Sequence, residues 1–85
     1  MMIVKQRKQR SVLGMKKSDI LLHIYHCLLV NKNISKQEIM KKFSISGLRF
    51  ARYLADIRSF LVKEGLSYQI IYERKVDRYY LVRNR

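Results

Sequence analysis

Between Ser18 and Gly65 the apolar residues of the chain recur every three or four positions, and beyond Gly65 they recur every second position. The first period belongs to amphipathic helices and the second to half-buried strands, so the pattern predicts an α+β fold of three helices followed by a C-terminal β-hairpin. Ile20, Leu21, Ile24 and Leu28 make the core stripe of a first helix over about residues 19–31. Ser18 is its expected N-cap, and Asp19 falls in the first turn, where the helix dipole favours an acid. Leu22, Tyr25 and Leu29 lie on an adjoining face, which makes the apolar arc wider than a monomer core normally uses. Either Val12 and Leu13 cover this surplus or it is a dimer contact, with Leu22, Tyr25 and Leu29 as the candidate dimerisation residues.

The second helix opens with Ser35 and Glu38, the S-x-x-E spacing of a capping box, and directs Ile39 and Phe43 inward. Ser44 and Ile45 form a turn. Ser46 then caps a third helix of about 18 residues, whose Phe50, Leu54, Ile57 and Leu61 face the core and which Gly65 ends from the C′ position. In the hairpin, Leu66, Tyr68, Ile70 and Tyr72 alternate on one side, and Tyr79 and Leu81 resume the alternation after the charged turn Glu73 to Asp77. That turn has no glycine, so a tight two-residue reversal is disfavoured and a longer, mobile loop is expected.

Charge changes the picture most. Lys and Arg number 19 against 6 Asp and Glu, a net charge of +13, far more than solubility needs and of the sign a polyanion selects. Six of the cations, Lys5, Arg7, Lys8, Arg10, Lys16 and Lys17, fall within residues 1–17, which contain no acid. This segment reads as a basic arm ahead of one domain over residues 18–85, either a solvated terminus or an arm that follows a nucleic-acid backbone. The single Cys27 cannot close an internal disulfide, and the apolar run Cys27 to Val30 is far short of a spanning helix. A cytoplasmic protein is expected, with no membrane partner.

The order of helix, helix, short turn, helix and hairpin resembles the winged helix-turn-helix domain of bacterial transcription regulators of the DeoR, BglG and Mga type. The residues that carry the resemblance are Ile34, Ser35, Glu38, Ile39, Phe43, Ile45, Ser46, Phe50, Leu54 and Ile57, with Tyr79 and Leu81 closing the wing, and it covers residues 18–83. Met40 departs from the family's usual Ala, and Ser44 from a frequent Gly. The resemblance implies a sequence-specific double-stranded DNA-binding protein, a small regulator of a bacterium, phage or mobile element. Its third helix would enter the major groove and its wing would clamp phosphates.

With Phe50, Leu54 and Ile57 turned inward, Leu48, Arg49, Ala51, Arg52 and Tyr53 are expected on outer or flanking faces near the helix N-terminus. Arg49 and Arg52 are the candidates for base readout, since a guanidinium fork matches guanine O6 and N7. Leu48 and Tyr53 are expected beside them as groove or phosphate contacts. Lys36, Ser46, Arg74, Lys75 and Arg78 are the candidate phosphate contacts. Gly47 weakens the first turn of the helix by roughly 1 kcal/mol relative to Ala and suggests a close approach of its backbone to something.

Other functions find less support. His23, His26 and Cys27 could share a side of the first helix, but structural zinc needs four ligands and the chain has no further Cys or His, so no metal and no cofactor are expected. Six scattered carboxylates and no Gly-rich phosphate loop offer no nucleophile with an oriented base, so the chain does not read as an enzyme. The alternatives are a winged-helix module for protein or RNA, and a phage-type excisionase or replication accessory protein. A basic membrane-surface protein is disfavoured, because the cations are spread over helices with buried inner faces.

Overall fold

The computed structural model describes residues 16–84. In chain order it contains α1 (Lys17–Asn31), β1 (Asn33–Ile34), α2 (Lys36–Phe43), α3 (Gly47–Lys63), β2 (Tyr68–Glu73) and β3 (Arg78–Arg83). The architecture is α+β, three helices against a small antiparallel sheet in the order β1-β3-β2. The basic arm read over residues 1–17, with Val12 and Leu13, lies outside the described residues except for Lys16 and Lys17.

α1 starts two residues earlier than Ser18 as a cap requires, with Lys16 at the N-cap position, so Lys17 belongs to the helix and not to the arm. The reason is Asp19, whose Oδ2 accepts the Lys16 N–H at 3.1 Å and closes the first turn from the third helical position. Ile20, Ile24 and Leu28 are buried, while Leu21 is only half-buried at the edge of the core. Lys32, at φ 72°, ends the helix in the left-handed region and turns the chain straight into β1.

The α2–α3 unit forms as its caps dictate. Ser35 Oγ accepts the Glu38 N–H at 3.3 Å, and Ser46 Oγ accepts the Arg49 N–H at 3.1 Å. Between them Ser44 adopts φ 53° and ψ 48°, and the Ile45 N–H donates to the Met40 carbonyl at 3.1 Å. An L-residue in this conformation costs roughly 1–2 kcal/mol, which explains why glycine suits the position. α3 ends at Gly65, φ 65°, with Leu66 N–H on the Leu61 carbonyl and Gly65 N–H on that of Val62, the paired bonds of a Schellman motif.

The sheet holds one strand more than the hairpin predicted. β3 is central: it pairs with β2 from Tyr68↔Arg83 to Glu73↔Arg78, and with β1 through Asn33↔Tyr80 and Ile34↔Tyr79. β1 is two residues long and has no periodicity to read, and it exists because the turn at Lys32 delivers Ile34 to the core beside β3. The loop of residues 74–77 is longer than a two-residue reversal, as its composition predicts. Asp77, φ 53°, takes the left-handed position where glycine was missing, a conformation that Asp tolerates better than most residues.

The core joins α1, α2 and α3 to Ile34, Ile70 and Leu81 of the sheet. Leu66 and Tyr72, expected to face inward, are exposed. Tyr72 lies beyond the helices, and its ring packs on Tyr79 at 4.8 Å, which in turn meets Phe50 edge-on at 5.4 Å. This aromatic file ties the hairpin to the buried side of α3. Two turns further along α3 the Arg58 guanidinium donates to the Ile70 carbonyl at 3.1 Å, a second tie to the hairpin.

Candidate nucleic-acid interface

The burial pattern of α3 divides its surface. Phe50, Leu54, Ile57 and Leu61 are inside, and Leu48, Arg49, Ala51, Arg52, Ala55 and Ser59 are exposed. At about 100° per residue, Arg52 sits near the middle of the outer face and Arg49 on the flank toward α1. Beside Arg52 the same face carries the small Ala51, Ala55 and Ser59, with Leu48 on the first turn and Val62 and Lys63 at the far end, so the middle of the helix is slim where it points into solvent. Ala55 and Ser59 were not singled out from the sequence, because small residues carry no chemical signal there.

Tyr53 requires a correction. It is 6% exposed and belongs to the core, not to an outer or flanking contact face. Its position lies about 60° from Phe50 around the helix, on the side that α1 covers. The Lys17 ammonium lies 5.8 Å from its ring centroid and reaches Asp56 on α3 at 2.9 Å. The spacing of four, three and four between core residues of α3 hid a second core position, three residues after Phe50. Leu48, by contrast, is 67% exposed on the first turn.

The start of α3 gathers positive groups. Lys36 lies across this first turn, with its Cε and Nζ 3.4 Å from where a Cβ on Gly47 would stand. Lys36 is therefore what approaches the Gly47 backbone, and the flexible end of that side chain could give way to a methyl group. The N–H groups of Gly47 and Leu48 have no acceptor among the described residues, and the Ser46 oxygen already serves Arg49. A cation beside a helix N-terminus is electrostatically unfavourable in isolation, and an anion placed between the two would relieve it.

The hairpin residues separate into two groups. Arg74 and Lys75 are exposed on the loop, and the Asp77 carboxylate beside them accepts the Tyr72 hydroxyl at 2.7 Å, which raises the pKa of that phenol. Arg78 is the first residue of β3, directly after the loop. Its Nε donates to Asn33 Oδ1 at 2.6 Å, and its Nη2 lies 3.8 Å from Glu38 Oε1. Arg78 is thus engaged in joining β3 to β1 and α2, and the Glu38 carboxylate faces it instead of reaching back to the Ser35 N–H. Comparison of the chain with protein-family models, with curated proteins and with solved structures found no match.

Around Arg78 a cleft of about 200 Å³ is lined by His23, Cys27, Glu38 and Lys42 among others. His23 Nε2 and Cys27 Sγ are 3.4 Å apart, while His26 is exposed on another side of α1, so the three do not converge. Burial, followed by the nearby Lys42 and His26, holds the His23 pKa below its ordinary 6.5. Among the described residues no group of three or more His, Cys, Asp or Glu is placed to hold a metal, and no helix is long and apolar enough to cross a membrane.

Of the expected dimerisation residues, Leu22 and Leu29 are exposed on α1. Tyr25 is half-buried and meets Phe60 of α3 edge-on at 5.8 Å.

Proposed function

We propose that this protein is a winged helix-turn-helix DNA-binding protein that acts by binding and not by catalysis. α3 enters the major groove of duplex DNA, Arg49 and Arg52 meet base edges, and Leu48 makes apolar contact beside them. The observation that carries this reading is the exposed N-terminal half of α3, where Arg49 and Arg52 stand with Leu48 on a face whose remaining side chains, Ala51 and Ala55, are small. A helix so trimmed can approach a groove about 12 Å wide closely enough for a guanidinium to reach guanine O6 and N7. Lys36 with the free N–H groups of Gly47 and Leu48 takes a backbone phosphate at the groove edge, and Arg74 and Lys75 on the wing take others. The net charge of +13 supplies the long-range attraction.

The test is selection of bound sites from a random duplex pool, followed by competition of the selected duplex against structured RNA and heparin. Recovery of one consensus, displaced by RNA or heparin only at large excess, is the expected result. Equal affinity for all three polyanions would reduce the protein to a non-specific cation, and preference for RNA would move α3 to a different ligand.

A further inference from the structure

The outer side of α1 has no role in the DNA reading and differs from the outer sides of α2 and α3, which carry exposed cations. Leu22 is 66% and Val30 62% exposed, with Leu29 beside them and His26 between. The patch continues across Tyr25 to Phe60 of α3, itself 45% exposed. We propose that this face is a self-association surface, on which a second copy of the chain packs its own α1 antiparallel about a two-fold axis near His26.

Three observations select a second copy as the occupant. Charge is the first: from Ile20 to Asn31 there is no Asp, Glu, Lys or Arg, in a chain of net charge +13. The exposed faces of α2 and α3 carry Lys41, Lys42, Arg49, Arg52 and Lys63, so two copies that met there would stack like charges. On α1 they meet without doing so. A nucleic acid or an acidic partner, for the same reason, gains nothing from this face. The second observation is shape. Leu22, Tyr25 and Leu29 follow the three-and-four spacing of a helix seam, and a two-fold axis near His26 sets Leu22 of one copy against Leu29 and Val30 of the other. The third rests on the proposed DNA reading, in which one recognition helix specifies too few base pairs to find a site, and two copies double the information.

The pairing is tested on the full chain without nucleic acid, by sedimentation equilibrium at micromolar concentration. A dimer is expected. Leu22→Glu combined with Leu29→Glu should sediment as a monomer, with circular dichroism showing the helices intact. Should that variant fail to fold, crosslinking decides: in a Cys27→Ser background, His26→Cys should give a disulfide-linked dimer on mild oxidation, and Val62→Cys on α3 should not. An unmutated chain that is monomeric at micromolar concentration overturns the proposal, as does a dimer in which His26→Cys does not crosslink. A monomer that dimerises once Val12 and Leu13 are replaced by Glu would assign the face to residues 1–15 of the same chain and also overturn it. A monomer that still selects a duplex sequence would sink this inference and leave the DNA reading standing, and a dimer indifferent to duplex would do the reverse.

Discussion

The outer faces of α1 and α3 belong to helices of similar length, 15 and 17 residues, and were built from opposite materials. α1 turns Leu22, Leu29 and Val30 to solvent with no charged residue from Ile20 to Asn31, whereas α3 exposes two arginines, Leu48 and otherwise small side chains in its first half. Salt should pull the two apart. Screening relieves the repulsion between two chains of +13 and strengthens apolar association, while it weakens every phosphate contact through counterion release. Each face thus has its own experimental signature, and a single salt series on the same sample reads both.

The largest effect is expected at the seam between them. Tyr53→Ala removes a buried ring from under α1 and should lower stability by about 3–5 kcal/mol in urea unfolding, whereas Arg52→Ala, one residue away, should change it by less than about 0.5 kcal/mol. Equal small effects would return Tyr53 to the surface. Next come Arg49→Ala and Arg52→Ala, each expected to weaken binding to the selected duplex by about 1–3 kcal/mol and to relax site preference, with a smaller change in non-specific binding. Proportional losses in both kinds of binding would mean that α3 touches only backbone.

A subtler contrast lies on the wing, where replacing Arg74 and Lys75 together should make the slope of log K against log salt shallower by about 1.8, at roughly 0.9 per phosphate contact. An unchanged slope would lift the wing off the duplex. Within the scaffold, Ser44→Gly relieves a left-handed serine and should raise the urea midpoint by an amount worth about 1 kcal/mol or less, since glycine also gains freedom in the unfolded chain.

The smallest effect is one of pH. The folded pKa of His23 lies below the unfolded 6.5, so the unfolded chain takes up the proton first. Stability should therefore decline as pH falls below about 6.5 and level off once the folded imidazole is also protonated. His23→Gln should flatten that part of the profile, and an unaltered slope would assign the pH dependence to another group.

Much of the scaffold was legible because it is written locally. Ser35 and Ser46 cap the helices they precede, Gly65 takes the left-handed turn that ends α3, and the change of period after it marks the hairpin. What escaped depends on distant residues. β1 is a strand only because β3 lies beside it, and Arg78 looked like a surface cation until Asn33 and Glu38 came within reach. Tyr53 was misplaced because a three-or-four period leaves the border of a helix face undecided until the neighbouring helix is placed. Arg49, Arg52 and Leu48 were assigned to the surface by the same period, and there the pattern had no competing neighbour. At Asp77 the signal was present and undervalued, since an acid can take the backbone angle for which a glycine was sought.

The bond from Arg58 to the Ile70 carbonyl has a consequence for how this protein keeps apart from itself. Leu81 sends its N–H to Lys32, on the β1 side, so its partner Ile70 turns its own carbonyl away from β3 toward the open margin of the sheet. That margin, Tyr68–Glu73, has no proline, glycine or lysine and reads Gln-Ile-Ile-Tyr through its middle, the composition from which fibrils grow by strand addition. A guanidinium seated on the Ile70 carbonyl fills the spot where an incoming backbone would dock and confronts it with a charge. An incoming strand would have to displace Arg58 before it could pair at Ile70.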